Sequence, residues 1–247
     1  MHRFFLPPSA IQADPIFFPS DNAHQIFRVL RLRSGDQVTV LDGLGWQYRV
    51  ELTVVSRKNV SGRVLEKSAI SSEPPVHLSM YLCLTQREKF EWILQKCTEV
   101  GASEFTPVLS SRSLVQAAES LDNKHPRWQR ILQEAAEQSG RGQIPLLNNP
   151  LDFAAVLATT RSQFDICLVA WEEENVLRLT DALQGLPANA RIALLIGPEG
   201  GLTHAEVESA RENSWKAVSL GPRILRMETA AVVSAALVID WFESRAG

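Results

Sequence analysis

The sequence predicts an α/β protein with a mainly parallel sheet, preceded by a small β-barrel. Two observations carry this. After residue 75, short apolar runs alternate with amphipathic runs of helical period, the pattern of strand–helix–strand units. Before residue 70, several short strand-like runs are separated by turn pairs, with one helical run among them. Between the two lies "SAISSEPP" (68–75), small, polar and ending in two prolines, with the composition of a linker. The expected division is a barrel domain over 1–70 and an α/β domain over 76–247.

The barrel rests on the runs "HRFFL", "QVTVL", "WQYRVELTVV" and "VSGRVLE", with Gly35-Asp36 and Asp42-Gly43 as turn pairs. Ser20 is read as the N-cap of a helix through "DNAHQIFRVLRL". In the second part, "VHLSMYLCL" alternates, with Val76, Leu78, Met80, Leu82 and Leu84 on one face. "EKFEWILQKCTEVG" is a helix stopped by Gly101, "FTPVL" a strand, and "PRWQRILQEAAEQSG" a helix with Pro126 in its first turn and Gly140 at its end. Three strand–helix pairs follow: "DICLVAW" with "NVLRLTDALQG", "RIALLIG" with "HAEVESARENS", and "KAVSL" with a last helix from about Glu228 to Glu243. Thr203 and Glu206 have the spacing of a capping box.

Totals narrow the function. The 247 residues carry 45% hydrophobic and 21% charged side chains, as ordinary soluble domains do. No apolar run approaches the ~18 residues of a membrane span, and "MHRFFLPPSA" has too short an apolar stretch for a secretory signal. Cys83, Cys97 and Cys167 are scattered in apolar surroundings, which reads as buried thiols in a reducing cytoplasm. His2, His24, His77, His125 and His204 make no metal spacing, so no metal is expected. Residues 1–72 carry nine Lys/Arg against six Asp/Glu, and residues 73–247 sixteen against twenty-two. The N-terminal part is therefore the expected contact for a polyanion.

Ligands of open parallel sheets sit beyond the carboxyl ends of the strands. Two such ends stand out, "IGPEGG" (196–201) and "LGPRILRMETA" (220–230), each a strand ending in Gly-Pro. Gly permits close backbone approach, and Pro fixes φ and removes a donor, so each loop offers a rigid backbone edge suited to a flat heterocycle such as adenine. Ile196, Leu220, Leu225 and Met227 supply apolar walls. The spacing is not that of a dinucleotide fold, a Walker loop or a nucleophile elbow. An uncharged adenosyl ligand remains.

These residues carry a resemblance. "LIGPEGG" with "LGPRILRMETA" resembles the C-terminal signature of the SPOUT methyltransferases. With "HQIFRVLRLRSGDQVTVLDG", "LQKCTEVGASEFTPVLSSRS" and "LQEAAEQSGRGQIP", the chain more narrowly resembles the RsmE family, which methylates uridine N3 in 16S rRNA. The resemblance spans nearly the whole chain in order. It implies a PUA-like barrel, a SPOUT domain with a deep trefoil knot, and a cytoplasmic homodimer for which the "ETAAVVSAALVID" helix is one candidate face. It also implies S-adenosylmethionine as cofactor and a uridine in the decoding region of the assembled small subunit as substrate. The cofactor residues it implies are Leu195, Ile196, Gly197, Pro198, Glu199, Gly200 and Gly201 in the first loop, and Leu220, Gly221, Ile224, Leu225, Met227 and Thr229 in the second. Gly200→Val is expected to block the cofactor through Cβ crowding.

Transfer to N3 needs in-line positioning, a base for the N3 proton and donors for charge spreading onto the uracil oxygens. Base candidates are Glu199 first, then Glu228 and Glu137, with hydroxide or water as alternatives. Arg141, Arg223 and Arg226 are the cation candidates, Arg141 and Arg226 foremost, and Arg141→Ala is expected to lower turnover more than cofactor affinity. Arg28, Arg31, Arg33 and Arg141 are candidate RNA contacts. Two other readings share the pocket: a methyltransferase of this fold acting on another RNA, and a non-catalytic RNA-binding or assembly factor.

Overall fold

The computed structural model describes residues 1–12, 15–113, 123–160 and 163–245. The chain forms two compact units. The first takes in Met1–Glu73 and Ala136–Ile144, the second Pro74–Ala135 and Pro145–Gly247. The first therefore recruits a later segment of chain that no local composition change marks.

In the first unit, β1 (Arg3–Phe5), α1 (Pro8–Ile11), β2 (Ile16–Phe17), α2 (Ser20–His24), β3 (Gln37–Leu41), β4 (Trp46–Val55) and β5 (Val60–Ala69) follow one another. The strands make one sheet in the order β1-β3-β4-β5-β2, with only β1–β3 parallel. Alternation sends Val38, Val40, Val50 and Leu52 inward, where Phe4, Ile16 and Ile26 complete an apolar core. β2 carries only two residues and escaped the pattern reading. Pro19, not Ser20, occupies the N-cap, and α2 passes into a π-helical turn at Gln25–Val29. The helical run ends there, with Leu30 N–H donating to Gln25 O at 2.9 Å and Arg31 at φ 55°. Arg31 therefore lies beyond the helix and shares no helical face with Arg28, although the sequence predicts a helix through Leu32.

The second unit holds β6 (His77–Cys83), α3 (Arg87–Val100), β7 (Glu104–Leu109), α4 (His125–Ser139, whose last turn belongs to the first unit), β8 (Leu146–Leu147), β9 (Leu151–Asp152), α5 (Phe153–Thr160), β10 (Ile166–Ala170), α6 (Leu179–Ala182), β11 (Arg191–Ile196), α7 (His204–Glu212), β12 (Lys216–Val218) and α8 (Met227–Glu243). The sheet order is β12-β10-β11-β6-β7-β8, with β9 beside β7, and every pairing is parallel. A parallel sheet covered on both faces buries alternate residues of both kinds. Thus Ser79, Tyr81 and Cys83 on β6 are as buried as Leu78, Met80 and Leu82, and the alternation in the sequence marks no exposed face. The expected helix after β10 shrinks to the four residues of α6, because 175–178 run as a connection and Arg178 bridges Ser219. The small side chains of α8 are used within the chain: Ala231, Ser234 and Ala235 are buried, and the helix packs on α3, α6, β6 and β11.

At the N-terminal ends of β6 and β7 a polar network is closed around Glu104. Ser79 Oγ donates to Oε2 at 2.6 Å, His77 Nε2 lies 3.2 Å from the same oxygen, and Asn148 Nδ2 donates to Oε1 at 2.6 Å. The His77 contact, opposed by burial and helped by Ser79 and Asn148, brings the Glu104 pKa from 4.5 down to about 2. A carboxylate with a depressed folded-state pKa stabilises the fold above its unfolded value and loses that contribution as pH falls through the folded one. Glu104→Gln is expected to cost roughly 3 kcal/mol at neutral pH and to flatten the acid limb of stability between pH 4.5 and about 2. Urea unfolding at stepped pH measures both; a variant with the wild-type acid limb contradicts this account.

Candidate active site

Three neighbouring strands, β12, β10 and β11, deliver their carboxyl ends to one place. β10 leads into Trp171 and Glu172, β11 runs into the first Gly-Pro loop, and β12 runs into the second, which leads to α8. Together they line a cavity of about 340 Å³. Of the expected cofactor residues, Ile196, Gly197, Pro198, Glu199, Gly201, Leu220, Gly221, Ile224, Leu225 and Met227 line it, and so do Arg223 and Arg226. Leu195, Gly200 and Thr229 do not. Leu195 is wholly buried within β11, where alternation turns it away from its neighbour Ile196. Gly200 faces outward, and its O accepts from Arg112 Nη1 at 2.8 Å. A Cβ on Gly200 would meet only the Arg112 side chain, at an ordinary 3.5 Å. The crowded glycine is Gly201, at φ 67°, whose added Cβ would collide with Glu172 Oε1.

Lys89, Ala170, Trp171, Glu172 and Ala230 also line the cavity and were missed. The strand-end rule reaches Trp171 and Glu172, since "DICLVAWEE" leaves the sheet beside the other two loops. Nothing in the sequence points to Lys89, which arrives from the first turn of α3.

Glu199 is tied down from two elements. The Thr85 hydroxyl, just past β6, donates to its Oε1, and Lys89 Nζ lies 3.1 Å from the same atom. Burial disfavours the Glu199 anion. Hydrogen bonds from Thr85, from its own backbone N–H and from Lys89 outweigh this and hold the carboxyl below its ordinary range. The first loop closes with Gly201 N–H donating to Pro198 O at 2.9 Å, and the Thr203–Glu206 capping box starts α7 directly behind it. The second loop is anchored by Ser219, whose N–H donates to Leu177 O at 2.8 Å and whose O accepts from Leu179 N–H at 3.1 Å. Two polar atoms of cavity-lining residues, Trp171 Nε1 and Glu228 Oε2, are buried without a hydrogen-bond partner.

The remaining candidates lie elsewhere. Glu137 Oε1 accepts from Phe5 N–H at 3.1 Å inside the first unit. Arg141 is also in that unit and is 4% exposed. Its Nη2 and Nε donate to Glu73 at 2.8 and 3.3 Å, and the same carboxylate accepts from the N–H groups of Gly142 and Gln143. Loss of one partner of a buried pair strands the other. Arg141→Ala is therefore expected to cost about 3 kcal/mol in urea unfolding, beyond any effect on turnover; an unchanged midpoint contradicts the structural part of this reading. Arg28, Arg31 and Arg33 are exposed, and among the described residues none of them forms an ion pair.

A family model described as an RNA methyltransferase domain matches residues 72–239, and one described as an RNA methyltransferase PUA domain matches residues 18–65. The chain is 36% identical to the ribosomal RNA small subunit methyltransferase E of Bacillus subtilis, over 93% of each chain. The chain belongs to the ribosomal RNA small subunit methyltransferase E family. A member from Synechocystis is 34% identical over 98% of this chain and 78% of its own. Among solved structures, the family member from Neisseria gonorrhoeae, bound to S-adenosyl methionine, superposes with a TM-score of 0.85 at 30% identity, covering 96% of this chain and 95% of that one. A putative methyltransferase from Legionella pneumophila, also solved with its bound cofactor SAM, gives 0.86 at 26% identity over 97% of each chain. The five-stranded first unit is thus the PUA-like domain of the family, and the parallel sheet its methyltransferase domain.

Proposed function

We propose that this chain binds S-adenosylmethionine in the cavity at the ends of β10, β11 and β12 and methylates N3 of a uridine in the decoding region of 16S rRNA, on the assembled small subunit. The observation that carries this is the cavity itself, lined by both Gly-Pro loops in a chain of this family. Its residues fit the cofactor. The volume lies within the roughly 300–1,000 Å³ of small-molecule sites, the loops offer backbone edges to a heterocycle, and Ile196, Leu220, Leu225 and Met227 wall it with apolar surface. When bound, the cofactor supplies an electrophilic methyl group on a sulfonium sulfur.

The protein's part is proton handling and charge. Neutral N3–H is a poor nucleophile, and Glu199, ionised at neutral pH and lining the cavity, accepts the proton. Arg223 and Arg226, on the opposite loop, donate to the uracil oxygens as negative charge spreads onto them. Arg28, Arg31 and Arg33 of the PUA-like unit meet phosphates, and the modest net charge of −3 favours a folded target over free RNA. In the same reading the C-terminal segment threads a trefoil knot and two copies form a cytoplasmic homodimer, whose mass sedimentation would report.

The test is methyl transfer from labelled S-adenosylmethionine to small subunits from cells lacking this gene, with naked 16S rRNA alongside. Mass spectrometry should find 3-methyluridine on the subunit. Label on a different RNA moves the assignment to that substrate; cofactor binding with no label on any RNA leaves a non-catalytic factor.

A further inference from the structure

The turn that follows β7 carries a cation that the reaction described above does not use. Its backbone is fixed from two sides. The hydroxyls of Ser110 and Ser113, both buried, lie 2.9 Å apart, and Ser113 Oγ also accepts from Ser110 N–H at 3.0 Å. Ser111 N–H donates to Glu206 Oε1 at 2.9 Å, which pins the turn to the start of α7. Arg112 extends from this fixed backbone. Its Nη1 donates to Gly200 O at 2.8 Å, and its stem runs beside the open side of that glycine.

Arg112 is exposed, and among the described residues no carboxylate pairs with it. Arg127 and Arg211 of the same unit, by contrast, are paired with Glu91 and Glu174. The carboxylate that the turn does touch, Glu206, is taken up by the N–H groups of Ser111 and Thr203 and by the Thr203 hydroxyl. One bond to a neutral carbonyl does little to offset the entropy of ordering so long a side chain. A guanidinium also has more N–H donors than one carbonyl can use.

Position selects the ligand. Gly200 stands between Glu199 and Gly201, which line the cavity, but does not line it itself, and neither does Arg112. Arg112 therefore lies outside the cavity, against the loop that carries the proposed base. A uridine that brings N3 to Glu199 sends its ring into the cavity and leaves its sugar and phosphates outside. Phosphate is the charged group that such a target holds at the rim, and the guanidinium fork matches its oxygens. We infer that Arg112 is a substrate-positioning residue, which braces the first Gly-Pro loop through Nη1 and binds with its other N–H groups a backbone phosphate of the RNA being methylated. The inference rests on the function proposed above and adds to the second unit a phosphate contact beside the reacting base.

The experiment is steady-state methylation of small subunits by the full chain across a potassium chloride series at fixed magnesium, with calorimetric binding of S-adenosylmethionine beside it. Arg112→Gln should raise KM for the subunit about tenfold, equivalent to about 1.4 kcal/mol, and leave cofactor affinity within about twofold. Its plot of log kcat/KM against log salt should be shallower by about one, the loss of one phosphate contact. Arg112→Lys keeps the charge and should keep the wild-type slope while recovering part of the KM. A loss confined to kcat or to cofactor affinity, with the wild-type slope, would make Arg112 a brace for the loop alone and overturn the phosphate contact, and so would unchanged kinetics. If wild-type protein labels another RNA, the same series on that RNA decides. Wild-type protein that methylates no RNA would instead overturn the function reading beneath the inference.

Discussion

Gly201→Ala should weaken S-adenosylmethionine binding by roughly 10- to 100-fold, measured by titration calorimetry. Two costs combine. The residue sits at φ 67°, where a side chain costs about 1–2 kcal/mol, and the new methyl would displace the Glu172 carboxylate from the cavity wall. Gly200→Ala, one residue earlier, is the matched control. Its Cβ has room beside Arg112, and near-wild-type affinity is expected. If the two variants lose affinity equally, the loop does not approach the ligand as described.

The second large effect belongs to proton transfer. Glu199→Gln should lower kcat by about 10²-fold, the lower end of the range for a general base, with cofactor affinity changed only a few-fold. Lys89 provides the complementary test. It helps to hold the Glu199 carboxyl below its ordinary range, so Lys89→Met should raise that pKa. A base works above its pKa, and the acid limb of the pH–rate profile should therefore move to higher pH in the variant. An unshifted limb, or a Glu199→Gln enzyme with normal kcat, removes Glu199 from the role and leaves hydroxide or water as the proton acceptor.

Much of the lining of this cavity is legible in the sequence. The two Gly-Pro loops announced themselves because a parallel strand must end in a loop at the ligand face, and Gly-Pro there is unusual enough to ask for a reason. The helix starts and stops were equally local: the Thr203–Glu206 box and Gly140 each act within one turn. What escaped was non-local. Lys89 lies 110 residues from the carboxylate it serves. Glu73 lies 68 residues from the Arg141 guanidinium it binds, so the ion pair inside the first unit has no local mark. The π-helical turn at Gln25–Val29 ends the helical run short of the Leu32 that the sequence predicts, and no local residue marks that stop. Leu195 was missed in the other direction: a contiguous motif was read as a contiguous wall, and a strand presents only every second side chain to any one face.

The cavity also has a history within each round of synthesis. Its walls come from Lys89 in α3, from the end of β10, from the first loop after β11, and finally from residues 220–230, which the ribosome makes after all of these. A nascent chain that has completed β10 and β11 still lacks Arg223, Arg226, Glu228 and the whole second loop. The capacity to hold the methyl donor therefore arrives late and all at once, when the start of α8 emerges and packs on α3, β6 and β11. Products of translation interrupted between residues 144 and 220 would carry the whole first unit without a complete cavity.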